Sequence, residues 1–453
     1  MRERLVVIGG DAAGMSAASQ ARRRRPVDQL EIVAFERGMY SSYAACGLPY
    51  FVADDITDVD RLIARSPEAH RANEIDLRLR HDVLAIDVER RSVRVRDLDA
   101  GSERDEPFDQ LVIATGARPR RPPLPGIALP GIHGVHTIPD ALDLRGDLTA
   151  PKARPRAVVV GGGYVGLEMA EAFLARGCAV VIVHRGTHPM ATLDDDVGHR
   201  VAVAMRDLGI ALHLATAVVG FEAGPDGRVS AVQTDRGTIS ADVVALGLGI
   251  EPNAEIAVAA GIAVGDAGGI STDPRLATNV DGVWAAGDCV ESHHRVSGRP
   301  ALIALGTHAN KQGRVVGINV SGGDAEFPGV IGTAITKVCD IEIARTGLSE
   351  RECAGFGIDH VAATIESTTR AGYYPGADPI TVKIVAERST GRMLGGQIVG
   401  GIGAGKRIDA IAVAVWNAMS VDAFAQLDLA YAPPFSPVWD GSLIAARKAA
   451  ELV

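Results

Sequence analysis

The sequence predicts an α/β chain: two doubly wound nucleotide-binding units followed by a smaller α+β domain. Three observations predict it. Two apolar runs each lead through a glycine-rich turn into an alanine-rich helical pattern, each helix is followed by a second apolar run, and the last part of the chain changes to alternating strand patterns. Strand, glycine turn, helix and strand in that order make the β-α-β unit that holds a dinucleotide.

The first unit runs from Leu5 to Ile8 through GGDAAGMSAASQARRRR to EIVAFE. Gly9 permits the tight turn and Gly14 the close approach of the helix, while Asp11 stands where the middle glycine of GxGxxG is expected. A pyrophosphate would lie on the helix N-terminus. Glu36, 22 residues after Gly14 at the end of the next strand, suits a ribose 2′-hydroxyl. A βα turn that binds nothing is the plainer reading of such a loop, and the five features together outweigh it.

The second unit runs from Ala157 to Val160 through GGGYVGLEMAEAFLARG to AVVIVHR, with the full pattern Gly161, Gly163 and Gly166. Its second strand ends in His184-Arg185-Gly186-Thr187-His188, where a reader of the 2′-hydroxyl would place Asp or Glu. Losing the carboxylate and gaining Arg185 and histidines suits a 2′-phosphate, so NADPH is expected over NADH. A solvated strand-end arginine is the plainer reading of Arg185.

Elsewhere, residues 97–110 are polar, LVIATGARPRRPPLPG reads as a buried strand ending in a proline-rich connection, and VVALGLGIEPN closes the second unit. Proline clusters near residues 119–130 and around Pro151 and Pro155 mark crossings between domains. From Phe327 onward, ITVKIVAE, RMLGGQIVG and the helical KRIDAIAVAVWNAM describe the α+β domain. The expected division is residues 1–118 and 250–326 for one nucleotide domain in two parts, 119–249 for the other, and 327–453 for the last.

At 453 residues the chain is too long for one core. Its formal charge of −10 argues against nucleic acid or an anionic membrane as partner. The N-terminal MRER passes straight into LVVIGG without a signal-peptide pattern, and no long uncharged apolar window occurs, so a cytoplasmic protein is expected. Five scattered cysteines without a CxxC pair point to neither a disulfide scaffold nor a metal site. Arg22 to Arg25 end the first helix, where cations suit the dipole; a contact to a substrate phosphate is the other reading.

The stretch TNVDGVWAAGDCVES decides which unit takes which nucleotide. Its apolar strand delivers Gly287 and Asp288 to a place where a carboxylate can bind a ribityl hydroxyl, and the helical ALGTHANKQGRVVG follows, aimed at a flavin pyrimidine. FAD is therefore expected in the first unit. The order of these motifs resembles the FAD-dependent pyridine nucleotide-disulfide oxidoreductases over essentially the whole chain. AACGLPY, AGYYPG and YAPPFSPVWD resemble the single-cysteine branch that holds coenzyme A-disulfide reductase, NADH oxidase and NADH peroxidase, the last two motifs pointing to the coenzyme A side. The resemblance implies further cofactor contacts at Arg37, Thr115, Gly116, Tyr164, Glu168, Gly249, Ala304 and Thr307.

Cys46, in SSYAACGLPYF, has Ser41 and Phe51 five residues to either side, so it lacks the partner of a CxxxxC redox pair. A cysteine among small residues is ordinarily a buried hydrophobe. Beside two nucleotide folds it reads as a nucleophile that cycles between thiolate and mixed disulfide, or thiolate and sulfenate. A helix starting at about Cys46 is expected to lower the thiol pKa through its dipole. Cys178, Cys289, Cys339 and Cys353 read as packing or surface residues.

By resemblance, Tyr373 and Tyr431 of the partner subunit protonate the departing thiolate, in a homodimer whose active sites are shared; interface packing is the plainer reading of both. Gln20, Arg23 and Ser42 match coenzyme A contacts, and a basic residue is expected near HRANEID. Ala12 stands where the oxidases carry histidine, and Ala45 where coenzyme A reductases often carry Asn. The expected function is a FAD-dependent, NADPH-driven reductase of a small thiol disulfide, coenzyme A disulfide first. The alternatives are an NAD(P)H oxidase, a polysulfide or persulfide reductase, and a flavoprotein redox sensor of low turnover.

Overall fold

The computed structural model describes residues 2–149 and 154–453, so Pro151 and the start of that proline crossing lie outside the described residues. Two five-stranded parallel sheets carry the chain. The first orders Val283–Ala285, Gln110–Ile113, Glu3–Ile8, Leu30–Glu36 and Asp76–Leu79; the second orders Ala211–His213, Ala179–Val183, Arg156–Val160, Val243–Leu246 and Ile132–Gly134. Both central strands, Glu3–Ile8 and Arg156–Val160, have Leu, Val, Ile or Ala at nearly every buried position, as a strand covered on both faces requires.

The two units repeat one local solution. Gly9 and Gly161 lie at φ 109 and 107, and a Cβ on either would fall 2.1 and 2.2 Å from the carbonyl oxygens of Ala114 and Gly247. Only glycine fits there. Each turn opens a helix, Ala12–Arg24 and Tyr164–Ala175, whose Gly14 and Gly166 press onto the Gly9 and Gly161 carbonyls.

The polar segment before Gln110 is itself a strand, Glu103–Pro107, of an antiparallel sheet with Ser92–Asp97 and His81–Asp87. A two-stranded ribbon, Ala117–Pro119 against Ile250–Pro252, joins the units where the chain crosses between them twice. The C-terminal sheet is antiparallel in the order Ala334–Val338, Ile341–Gly347, Met393–Gly400, Pro379–Glu387, His360–Thr368, and the helices Ile408–Trp416 and Gly441–Ala450 pack on it. This sheet grips the second nucleotide unit: Thr336 Oγ1 donates to Glu168 Oε1 at 3.1 Å, and Lys337 pairs with Glu171. Beyond these, Lys383 pairs with Asp194 at 3.4 Å, with Asp196 at 2.7 Å and with Glu350.

Candidate active site

At the C-terminal edge of the first sheet the Glu36 carboxylate takes the amide of Gly10 at 2.8 Å and that of Gly38 at 2.7 Å. The loop thus fixes its own strand-end acid and leaves remaining lone pairs for a hydroxyl. Arg37 beside it is exposed. Thr115 Oγ1 donates to the Asn253 carbonyl at 2.6 Å, and Gly116 follows at φ 67. Gly287 N donates to Gln312 Oε1 at 2.7 Å, and a Cβ on Gly287 would come 2.9 Å from that of Ala13, so the turn before Asp288 is seated against the first helix. Burial holds the Asp288 carboxyl above its ordinary range. Ala304 and the exposed Thr307 lie at the start of the Gly306–Asn319 helix, which packs along Ala12–Arg24.

Around the second loop, His184 Nδ1 accepts the Gly162 amide at 3.2 Å, while its buried Nε2 has no hydrogen-bond partner among the described residues. Arg185 is exposed and makes no hydrogen bond or ion pair among them. His188, which the sequence groups with Arg185, faces inward instead: its Nδ1 meets the Pro189 carbonyl at 2.7 Å and its Nε2 meets Asp195 at 3.0 Å. Both ring nitrogens are engaged, so it serves the loop's packing.

Open space lies beside Gly116, Gly163 and Gly249, where an added Cβ would meet nothing within 4 Å. Unfilled room beside Gly116, Gly163 and Gly249, the anchored Glu36, the buried Asp288 and the unpartnered His184 nitrogen fit a flavin dinucleotide on the first sheet and a nicotinamide dinucleotide on the second. Among the described residues no cluster of His, Cys, Asp or Glu could hold a metal ion.

Cys46 lies between the units. The Ala45–Gly47 segment is a single 3-10 turn, and the helix Leu48–Val52 that follows has only five residues and packs against Tyr164–Ala175. The expected lowering of the thiol pKa by a helix dipole does not hold in this chain. Cys46 reaches the surface, yet crowding around its sulfur raises its pKa, with the Glu168 and Asp288 carboxylates adding to the rise and a lone backbone hydrogen bond opposing it. Burial and three carboxylates, Asp11 the third, outweigh one short turn. Glu168 is itself pushed up by burial, against the Thr336 hydrogen bond that favours its ionised form.

The remaining site residues fall in two groups. Ser42, in the left-handed region at φ 49, meets His70 Nε2 through its hydroxyl at 2.9 Å; Gln20 packs beside Gly317; Arg23 is exposed. Arg22 donates to the carbonyls of Arg25 and Leu30 at 3.0 and 2.8 Å, and Arg25 pairs with Glu3, so these two of the four arginines hold the helix end. Tyr373 and Tyr431, 78% and 47% exposed, form the second group on the C-terminal domain. Tyr373 beside it raises the Tyr431 pKa. Neither tyrosine is among the groups that shift Cys46. Cys178, Cys289 and Cys353 are buried and Cys339 is half-buried.

Asp11 is the residue that sequence reasoning passes over. Its carboxyl is pushed up to about 7 by burial, then by Glu36, with Asp288 adding; the Ala12 and Tyr43 amides oppose this. The signal available was its type, since an acid in a phosphate-binding loop needs either a proton or a cation.

Two nucleotide folds with one surface-reaching cysteine between them define the class: an oxidoreductase that works with nucleotide cofactors. Residues 3–313 match the pyridine nucleotide-disulphide oxidoreductase family, and residues 333–442 match its dimerisation domain. The chain belongs to this family, whose members use FAD with NAD(P)H. It is 39% identical over 448 residues to the NAD(P)H coenzyme A polysulfide/persulfide reductase of Pyrococcus horikoshii, covering 99% of this chain and 98% of that one. It is 29% identical over 444 residues to the coenzyme A disulfide reductase of Staphylococcus epidermidis, covering 96% of each. Among solved structures, reduced CoADR-RHD of Bacillus anthracis superposes with a TM-score of 0.95 at 30% identity, over 100% of this chain and 81% of that chain. No helix among the described residues is long and apolar enough to cross a membrane.

Proposed function

We propose that the protein reduces the disulfide of a low-molecular-weight thiol, coenzyme A disulfide first, using NADPH, with Cys46 as the residue that forms the mixed disulfide. The observation that carries this reading is the solitude of Cys46: it lies between the two glycine loops' units, and the other four cysteines are packed away from the surface or half-buried elsewhere. A single cysteine completes a disulfide cycle only if the second sulfur comes from the substrate.

In this reading residues 1–118 and 250–326 hold FAD through Gly9, Gly14, Glu36, Thr115 and Asp288, residues 119–249 hold the nicotinamide nucleotide through Gly161, Gly163, Gly166, His184 and Arg185, and 327–453 form the dimer. FAD supplies the two-electron step between nicotinamide and sulfur. The protein's part is to hold the Cys46 thiolate for attack on the incoming disulfide, so that one half stays on Cys46 as a mixed disulfide, and to protonate the other half as it leaves as a thiolate. Tyr431 of the partner subunit, with Tyr373 beside it, is the donor, in a homodimer whose sites are shared. The exposed apolar side chains Phe435, Val438 and Trp439 beside these tyrosines in sequence support a dimer surface there.

The 39% identity to a polysulfide/persulfide reductase favours a second acceptor, a sulfane sulfur chain, at the same cysteine. Mass measurement of the unreduced protein separates the two: a coenzyme A adduct on Cys46 supports the first and added sulfur atoms the second. Full NADPH-dependent disulfide reduction by Cys46→Ser would sink both.

A further inference from the structure

The HRANEID stretch carries two basic types, His70 and Arg71; Arg71 is spent on the Leu77 carbonyl at 3.0 Å, and His70 faces the interior. It sits on the short helix Pro67–Ala72, capped by the Ser66 hydroxyl, and is 2% exposed. Its Nε2 lies 2.9 Å from the Ser42 hydroxyl, and its buried Nδ1 has no hydrogen-bond partner among the described residues. Ser42 is held on its other sides too. Its amide donates to the Gly10 carbonyl at 3.1 Å, its carbonyl accepts the Ala64 amide at 2.8 Å, and its backbone is in the left-handed region. A serine in that conformation is retained only where its surroundings over-determine it.

Burial, with Arg65 nearby, pushes His70 down to about 4, so the ring is neutral and carries one proton. We assign that proton from the partners available. On Nε2 it has the Ser42 oxygen to receive it; on Nδ1 it would be a buried N–H without an acceptor, the costlier arrangement. The Ser42 oxygen then accepts from His70, and the hydroxyl proton is left to point at a ligand.

We propose that His70 is a positioning residue that fixes the Ser42 hydroxyl as a hydrogen-bond donor toward an acceptor-rich group of the substrate, a phosphate or carbonyl oxygen. The proposal rests on the reading of Ser42 as a substrate contact. Arg23, exposed on the first helix, and Arg65, whose Nη1 reaches Ser19 Oγ on the same helix at 3.4 Å, bring positive charge to this side of the Cys46 loop, in keeping with an anionic acceptor. An unoriented hydroxyl would serve a donor equally well, so His70 selects the class of group bound.

The test compares Ser42→Ala, His70→Leu and His70→Gln in the FAD-loaded enzyme, the glutamine keeping an N–H donor near the place of Nε2. With coenzyme A disulfide, S42A and H70L are expected to raise KM about five- to tenfold with kcat within about twofold of wild type, and H70Q to stay within about twofold in both, the loss of one hydrogen bond to an oriented group. With inorganic tetrasulfide, which offers no phosphate or carbonyl, all three should match wild type in KM. Dissociation constants for coenzyme A, measured by calorimetry, should follow the same order. If H70L does not fold, H70Q against His70→Asn gives the same contrast, since the shorter amide cannot reach Ser42. A raised KM in S42A with wild-type behaviour in H70L overturns this proposal alone. So does an equal loss in H70L and H70Q. An unchanged KM and dissociation constant in S42A overturn the reading of Ser42, and this proposal with it.

Discussion

His184 Nδ1 accepts the amide of Gly162 at 3.2 Å, in the place where, one unit earlier in the same chain, Glu36 Oε2 accepts Gly10 at 2.8 Å. The same anchoring bond is made once by a carboxylate and once by an imidazole. A carboxylate at this place repels a ribose 2′-phosphate, whereas His184 is kept neutral: burial, His188 and Arg185 all lower its pKa. Its free nitrogen is a donor to either a hydroxyl or a phosphate, and so in the proposed reading the discrimination falls to the exposed Arg185.

Arg185→Ala is therefore expected to lower kcat/KM for NADPH by about ten- to a hundredfold, the worth of a charge-assisted contact to phosphate, and to leave NADH within about threefold. His184→Glu should depress NADPH further and favour NADH. Steady-state kinetics with the two nucleotides decide it: an unchanged NADPH to NADH ratio in R185A would refute the assignment.

Cys46 supplies a second prediction. Glu168 is the first of the carboxylates that raise its pKa, after burial. Removing that charge in Glu168→Gln should move the pH profile of Cys46 alkylation by iodoacetamide to lower pH, so the variant reacts faster than wild type at pH about 7.5 while both converge at high pH. A profile that stays in place or moves upward would mean that Glu168 does not act on the sulfur.

The sequence made the two nucleotide units legible because their signals are local: the glycine turn, the helix and the strand-end residue lie within one β-α-β stretch. What governs Cys46 was not legible. Its turn and short helix are local, but burial and the carboxylates of Glu168, Asp288 and Asp11 act on it, the first two carboxylates more than a hundred residues away in the chain, and together they reverse the expectation drawn from the helix alone. His188 failed for a related reason. Type and neighbourhood placed it with Arg185, while the fold turned it toward Asp195 and the Pro189 carbonyl. Asp11 read as a substitution in a motif, and only burial beside Glu36 and Asp288 gives it a titration of its own.

The C-terminal sheet's hold on the second unit should be costly to break. Lys383, with a side chain 3% exposed, is the one cation paired with Asp196 among the described residues, and it also meets Asp194 and Glu350.

 Lys383→Met keeps the bulk and removes the charge, leaving the buried Asp194 carboxylate without its cation, which is expected to cost about 3–5 kcal/mol. Thermal melts of the FAD-loaded protein should show a loss of several degrees, smaller when Glu350→Gln is added, because the two changes remove one interaction. Equal melting temperatures for K383M and wild type would show that the cluster contributes nothing to holding the domains together.

Asp11 links stability to pH. Its carboxyl titrates at about 7 in the folded chain against an ordinary value of 3.8, so between those limits the folded state binds the extra proton. Stability must then fall as pH rises from about 4 through 7, by up to about 4 kcal/mol if the full difference is realised. The groups that face it are Glu36 on the neighbouring strand, Asp288 in the glycine-aspartate turn and Tyr43 on the Cys46 loop, and the two carboxylates penalise a third negative charge. Asp11→Asn removes the titration while keeping the shape. The variant's melting temperature should lie nearest that of wild type at pH about 4 and exceed it by a margin that widens up to pH about 8.5, with FAD bound in both. A difference between the two proteins that stays constant across that range would show that Asp11 is not the titrating group.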